Sequence, residues 1–477
     1  MVKTNRQRDG EFWLFVPLLF DYALVIKLRM PSLDFFSSPM IPKTDHYWLR
    51  NAHVPDSLMV HSDRSSLPEA VVQDELRLVD IEIANGAIAS IVTAETQPTS
   101  AYPSVDLKGG MVFPCFVDMH THLDKGHLWE RSPNVTGTFA DGLETIRQDS
   151  EHWNAEDVYR RMEFGLKCSY AHGTRAVRTH LDSGGNLAEV TLEAFRALRD
   201  RWADRISLQA VCLVSLEDFL TPQGEKLADQ IAEMDGILGG FASMNPEIEL
   251  QIDRTFEIAR DRNLDLDLHV DENNDPNSIC LKIVAETALR QQFQKQIVCG
   301  HCCSLAVQPT EESAKTIDLV KQANIGIVSL PMCNLYLQDR KPGHTPHWRG
   351  VTLLHELKQA GVPVAIASDN CRDPFHAFGD HDALEVFALS AKIAHLDRPY
   401  GDWCRAITLT PADLMGLPTT GRLDIGLTAD LVLFKARRYS ELLSRSQHDR
   451  VVLRNGIAID TALPNYAELD DLQTSHQ

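Results

Sequence analysis

No apolar run in this sequence reaches the roughly 20 uninterrupted residues needed to cross a bilayer. The nearest candidate, Phe12 to Ile26, follows basic Lys3, Arg6 and Arg8 in the manner of a signal peptide, but Pro17 and Asp21 interrupt it and no small-residue cleavage site follows. Met40 then opens a polar segment, IPKTDHYWLRNAHVP, so residues 1–39 are expected to be an extension from an over-extended start. Positive charge is also in deficit, with 46 Lys+Arg against 67 Asp+Glu and a formal net charge of -21 over 477 residues. Such a surface repels phosphate backbones and anionic bilayers, so neither nucleic acid nor membrane is an expected partner. The ten cysteines lack the dense, regular spacing of a secreted disulfide scaffold, and a reducing cytoplasm is the expected compartment. With 44% hydrophobic and 24% charged residues, there is no long disordered tract to account for.

Regular structure is written clearly along the rest. LRLVDIEIANGAIASIVTA sets Asn85-Gly86 between two alternating halves, a strong hairpin signal, and a second Asn-Gly turn follows DRVVLR at Asn455-Gly456. Residues 40–112 and 418–477 are therefore expected to pair into one small β-sandwich domain. Between them, over 113–417, eight short apolar runs alternate with amphipathic helical stretches. The runs are MVFPCFVDMH, TRAVRTHLD, ISLQAVCLVS, GILGGFASM, LDLDLHVDE, QIVCGHC, IGIVSLPMC and VPVAIASDN. Helices such as EDVYRRMEFGLKCSYAHG and VTLLHELKQAG end at glycine. This rhythm predicts an α/β fold, a (β/α)8 TIM-type barrel.

Barrels of this kind gather their chemistry at the C-terminal strand ends. The first run ends in His120-Thr121-His122, whose alternating side chains put both imidazoles on one side. The fifth ends His269-Val270-Asp271-Glu272, the sixth Gly300-His301 and the eighth Ser368-Asp369-Asn370. Imidazoles with a carboxylate suit one divalent ion, Zn2+ or Fe2+, which turns water into a nucleophile near neutral pH. A hydrolase follows.

From about Leu107 to Leu433 these residues resemble the cytosine deaminase branch of the amidohydrolase superfamily. The resemblance rests on FVDMHTHLDK, VRTHLD, LHVDEN, GHCCSLA, CNLYLQDRKPGHTPHWRGV, ASDNCRDPF and GRLDIGLTADLVLF, in that order. It implies a distorted barrel carrying a β-sandwich, with His120, His122, His269 and Asp369 as ligands of one metal. It further implies that Asp369 takes a proton from the attacking water, Glu272 protonates the ring nitrogen, and His301 orients the nucleophile. The expected substrate is a small heterocycle, cytosine or a close analogue such as 5-methylcytosine, and a homo-oligomer is expected. The family does not use the counterpart of His180 as a ligand, and no Lys in GGFASMNPEI is available to bridge two metals.

Three positions depart from the family's best-known pattern: Ser215 stands for a Gln, Asn370 for an Asp and Phe375 for a Trp. These are the expected substrate contacts, and the exchanges predict a roomier, less anionic pocket that accepts a small 5-substituent. The alternatives are a triazine aminohydrolase of the N-isopropylammelide type, which the His122-Leu123-Asp124-Lys125 run also resembles, and a barrel that binds without catalysis. Cys299-Gly300-His301-Cys302 runs through a barrel strand and lacks the helix N-terminus of a redox CxxC. The Asn134-Val135-Thr136 sequon and the absent H-x-E/P-C-x-x-C zinc pattern add no competing function.

Overall fold

A computed structural model of the chain describes residues 12–16, 24–28, 41–60, 75–94 and 101–473. The chain divides into two compact units, Met1–Met40 and Ile41–Gln477. In the first, β1 (Phe12–Val16) pairs antiparallel with β2 (Leu24–Leu28). The remainder of the extension expected over 1–39, with its basic start and Pro17 and Asp21, lies outside the described residues. No helix among the described residues is long and apolar enough to cross a membrane.

In the second unit, β3 (His46–Pro55), β4 (Leu76–Ala84), β5 (Ala87–Thr93) and β6 (Ser104–Asp106) form a sheet in the order β5-β4-β3-β6. Next come β7 (Val112–Pro114) and eight parallel strands. These are β8 (Phe116–Thr121), β9 (Thr174–Asp182), β10 (Ser207–Leu213), β11 (Leu238–Ala242), β12 (Leu266–Val270), β13 (Ile297–His301), β14 (Ile325–Ser329) and β15 (Val364–Ile366). Each of the eight apolar runs supplies one of them. They pair as β10-β9-β8 and β11-β12-β13-β14-β15, and parallel bridges at Val211/Ile237 and Thr121/Asp369 join the two arcs into the barrel.

Period-two alternation sorts the barrel residues. Leu266, Leu268 and Val270 belong to the large apolar core outside the barrel wall, while Val117, Val298, Val328 and Ala365 form a separate interior cluster with Leu414 and Met415. Arg178 donates to Asp267 at 2.8 Å inside the barrel, fully buried. The helices follow their sequence signals: Asn154 accepts from Asp157 N to start Ala155–Ala171, and Gly361, at φ 83°, ends Leu354–Ala360.

The chain then returns through β16 (Leu431–Leu433), β17 (Val451–Arg454) and β18 (Ile457–Ala458), giving a sheet β18-β17-β16-β7 built from both ends of the unit. Its two hairpin turns meet. Asn85-Gly86 and Asn455-Gly456 all have positive φ, and a Cβ on Gly86 would come within 3.1 Å of Asn455 O. Tyr47 on β3 donates to Gly456 O at 2.6 Å, completing the tie between the two sheets.

Arg450, just before β17, forks onto Asp382 at 2.8 and 2.6 Å, and Asp382 caps the barrel helix Ala383–Ile393. Burial works to raise the Asp382 carboxyl, and Arg450 prevails in holding it below its ordinary value. The pair's contribution is thus present above the ordinary carboxylate range and is lost as the pH falls through the lowered folded value. Removing the carboxylate with Asp382→Ala strands a buried charge and should cost about 3–5 kcal/mol. A urea titration checks this: the midpoint should fall at unchanged slope, and a wild-type midpoint would show that the pair does not hold these segments together.

Candidate active site

The first and eighth strands meet at the residues expected to carry the chemistry. Asp369 N donates to His120 O at 2.9 Å, His122 N donates to Asp369 O at 3.2 Å, and the Thr121 hydroxyl donates to the same carbonyl at 2.9 Å. Asp369 and His301 both have left-handed backbone, at φ 62° and 66°, where the strand ends turn into their loops. Non-glycine residues carry strain in this region, and such strain concentrates at functional sites.

This scaffold converges four donors. His269 Nε2 lies 3.2 Å from both His120 Nε2 and His122 Nε2, and Asp369 Oδ1 lies 3.7 Å from His120 Nε2 and 3.3 Å from His122 Nε2. A tetrahedral ion with ligand bonds of about 2.0–2.1 Å has donor–donor edges of about 3.3–3.4 Å, so the spacing fits one divalent transition ion. Burial, followed by neighbouring cationic groups, holds the three imidazoles far below their ordinary pKa, which keeps them in the neutral, ligating form. Neither Asp369 oxygen has a hydrogen-bond partner, and burial raises this carboxyl to about 7. A cation among these donors would favour the ionised carboxylate and reverse that shift.

Glu272 and His301 stand beside the cluster. His301 Nδ1 lies 3.3 Å from Glu272 Oε1, its Nε2 has no partner, and the residue offers a ligand nitrogen within 4.8 Å of those of His120 and His269. Burial lowers His301 to about 3, while burial and then the Asp369 charge push Glu272 well above the ordinary carboxyl range. Asn334 bridges the two. Its amide donates to Glu272 Oε1 at 3.0 Å and lies 3.1 Å from His301 Nδ1. No spacing signal in the CNLYLQDRK segment singles out Asn334. It is an amide in the helix Pro331–Leu337, which follows directly on the seventh barrel strand.

His180 is fully buried with its ring 3.9 Å from that of His120, and its Nε2 is 3.8 Å from Asp267. Lys125 donates to Asp182 at 2.6 Å and sits 5.6 Å from the Phe375 ring centre. Of the expected substrate contacts, Phe375 packs against Phe139 at 5.6 Å. The Asn370 amide is committed to Asp373 at 2.7 Å, and its carbonyl faces the Cys333 thiol at 3.5 Å. Ser215 lies just beyond β10 and is bridged to Phe241 on β11. The ten cysteines are free and buried, including Cys299 and Cys302, and the buried Asn134 amide is spent on Thr138 O and Pro374 O.

Gly300 keeps the cluster open. A Cβ there would meet His120 Cε1 at 2.8 Å and Nδ1 at 3.1 Å. Gly300→Ala is therefore expected to tilt the His120 ring and lower the metal bound per chain, read by elemental analysis after reconstitution. Full metal content in that variant would show that the ring has room to yield.

The chain is similar to several known proteins. Residues 228–455 match the amidohydrolase family model. The chain is 49% identical to a pterin deaminase of Rhizobium rhizogenes, over 91% of this chain and 98% of that protein. It is 24% identical to an N-isopropylammelide isopropyl amidohydrolase of a Pseudomonas species, over 74% of this chain and 86% of that one. Among solved structures, 5-methylcytosine deaminase from Klebsiella pneumoniae superposes with a TM-score of 0.74 at 24% identity, over 86% of this chain and 97% of that one. The chain belongs to the amidohydrolase family and is a hydrolytic deaminase on that family's barrel.

Proposed function

We propose that this enzyme hydrolyses the 2-amino group of a pterin, consuming water and releasing ammonia and the 2-oxo ring. One observation carries the substrate class: the 49% identity to a pterin deaminase, sustained over 98% of that protein. The reacting unit is chemically close to the one the sequence motifs suggested. Cytosine and pterin both present an amino-bearing carbon beside a ring nitrogen, and pterin adds a second fused ring. A short Ser215 in place of a long amide is consistent with the larger substrate.

His120, His122, His269 and Asp369 are the proposed ligands of one divalent ion, Zn2+ or Fe2+. That ion supplies the Lewis acidity that makes water nucleophilic at neutral pH. Asp369, with both oxygens unpartnered, is positioned to take the proton that the attacking water gives up. Glu272 stays protonated because it is buried beside Asp369, so it can hand a proton to the ring nitrogen as the carbon becomes tetrahedral. His301, neutral and oriented through Asn334, turns its free Nε2 toward the reacting centre and stabilises the charge that develops there. Nitrogen then leaves as ammonia, and the oxygen from water remains on the ring.

This division of labour predicts different failures. Glu272→Gln should keep its metal and lose turnover by about two to four powers of ten, the scale of a general acid, whereas Asp369→Asn should lose both. Metal loss in the Glu272 variant would contradict the assignment. For the substrate, ammonia release should give a kcat/KM for pterin at least about tenfold above that for cytosine or 5-methylcytosine, the lower end of discrimination by pocket contacts. A preference for either pyrimidine would return the assignment to the substrate that the motifs suggested.

A further inference from the structure

The loops that follow β8 and β15 bring together a second set of donors that the proposed chemistry does not use. His127, Cys371 and His381 are 3%, 1% and 2% exposed, and their ligand atoms lie within 4.8 Å of one another. Both nitrogens of both imidazoles lack a hydrogen-bond partner. Buried polar groups are nearly always paired, and every imidazole carries at least one N–H that must be placed. Two adjacent buried rings with all four nitrogens unsatisfied are therefore a departure that calls for a ligand.

The surrounding structure holds these donors in place. His127 N donates to Cys371 O at 3.1 Å, which fixes one loop against the other. The His127 ring packs edge-on to Phe164 at 4.7 Å and lies 5.5 Å from the His381 ring. His381 in turn covers Gly165, where a Cβ would come within 2.9 Å of Nε2. Burial lowers the pKa of both imidazoles, that of His381 to about 4, so both are neutral and able to ligate near pH 7. Asp380 stands beside the group, accepting from His172 Nε2 at 2.9 Å and acting electrostatically on both Cys371 and His381.

We propose that His127, Cys371 and His381 form a second, structural metal site that takes one zinc-type divalent ion through two imidazole nitrogens and one thiolate. Two neutral nitrogens and one sulfur match the donor chemistry of structural zinc, and a tetrahedral ion keeps one corner for water. Binding releases the Cys371 thiol proton to solvent and changes no oxidation state. The ion and thiolate together carry one positive charge, which the neighbouring Asp380 carboxylate balances. Its effect would be positional: it clasps the loop carrying Lys125 to the loop carrying Asn370, Asp373 and Phe375, next to the strand junction at His120 and Asp369.

The test uses the full chain, stripped with a chelator, reloaded with zinc chloride and freed of excess metal. Two equivalents of zinc per chain are expected. Reloading with cobalt chloride should also produce a near-ultraviolet thiolate-to-cobalt charge-transfer band, which imidazoles and a carboxylate alone do not give. The band should survive Cys333→Ser and vanish in Cys371→Ser. If the Cys371 variant does not fold, the Cys333→Ser spectrum decides, because Cys333 is the other thiol that stands among possible donors. Absence of the band at any stoichiometry overturns the proposal and leaves the rings to ordered water, and so does a band that persists in folded Cys371→Ser.

Discussion

Two backbone hydrogen bonds, from Asp369 N to His120 O and from His122 N to Asp369 O, are the constraint on which the site depends. They join the first barrel strand to the end of the eighth, so barrel closure and donor placement are one event. Three of the four converging donors come from residues in that junction, and His269 on β12 completes the group from across the barrel. A strained φ of 62° at Asp369 is tolerable because the surrounding ladder over-determines it. Placed this way, the donors depend little on side-chain flexibility, which is how pre-organised sites avoid reorganisation during reaction.

Electrostatics follows from the same burial. Imidazoles crowded in a dry barrel mouth lose their charge, and two buried carboxyls facing one another cannot both ionise readily. A cation held by His120, His122, His269 and Asp369 would resolve the conflict, favouring ionised Asp369 and leaving Glu272 as the protonated partner. Asn334 then matters beyond its small size. It touches Glu272 and His301 with one amide group, fixing the direction in which each can give or receive a proton.

Much of this was legible in the sequence because barrel strands and their ends are local signals. The eight runs could be counted from β-branched residues and glycine stops, and the two Asn-Gly turns marked both hairpins. His120, His122, His269, Glu272, His301 and Asp369 stood out because each lies at or just beyond a strand end. What escaped notice was long-range. Asn334 reaches Glu272 across 62 positions, and Lys125 reaches Asp182 across 57. No spacing rule links His127 to Cys371 and His381. The motifs surround a reacting amino-bearing carbon that cytosine and pterin have in common, so they do not by themselves separate one heterocycle from the other.

Anomalous scattering from a crystal of the reloaded enzyme, recorded at the absorption edge of the bound metal, tests the central claim most directly. The account predicts a peak enclosed by Nε2 of His120, His122 and His269 and by Oδ1 of Asp369, with Glu272 outside its ligand sphere. No peak at that position, or a peak ligated instead by Glu272 and Cys333, would contradict it.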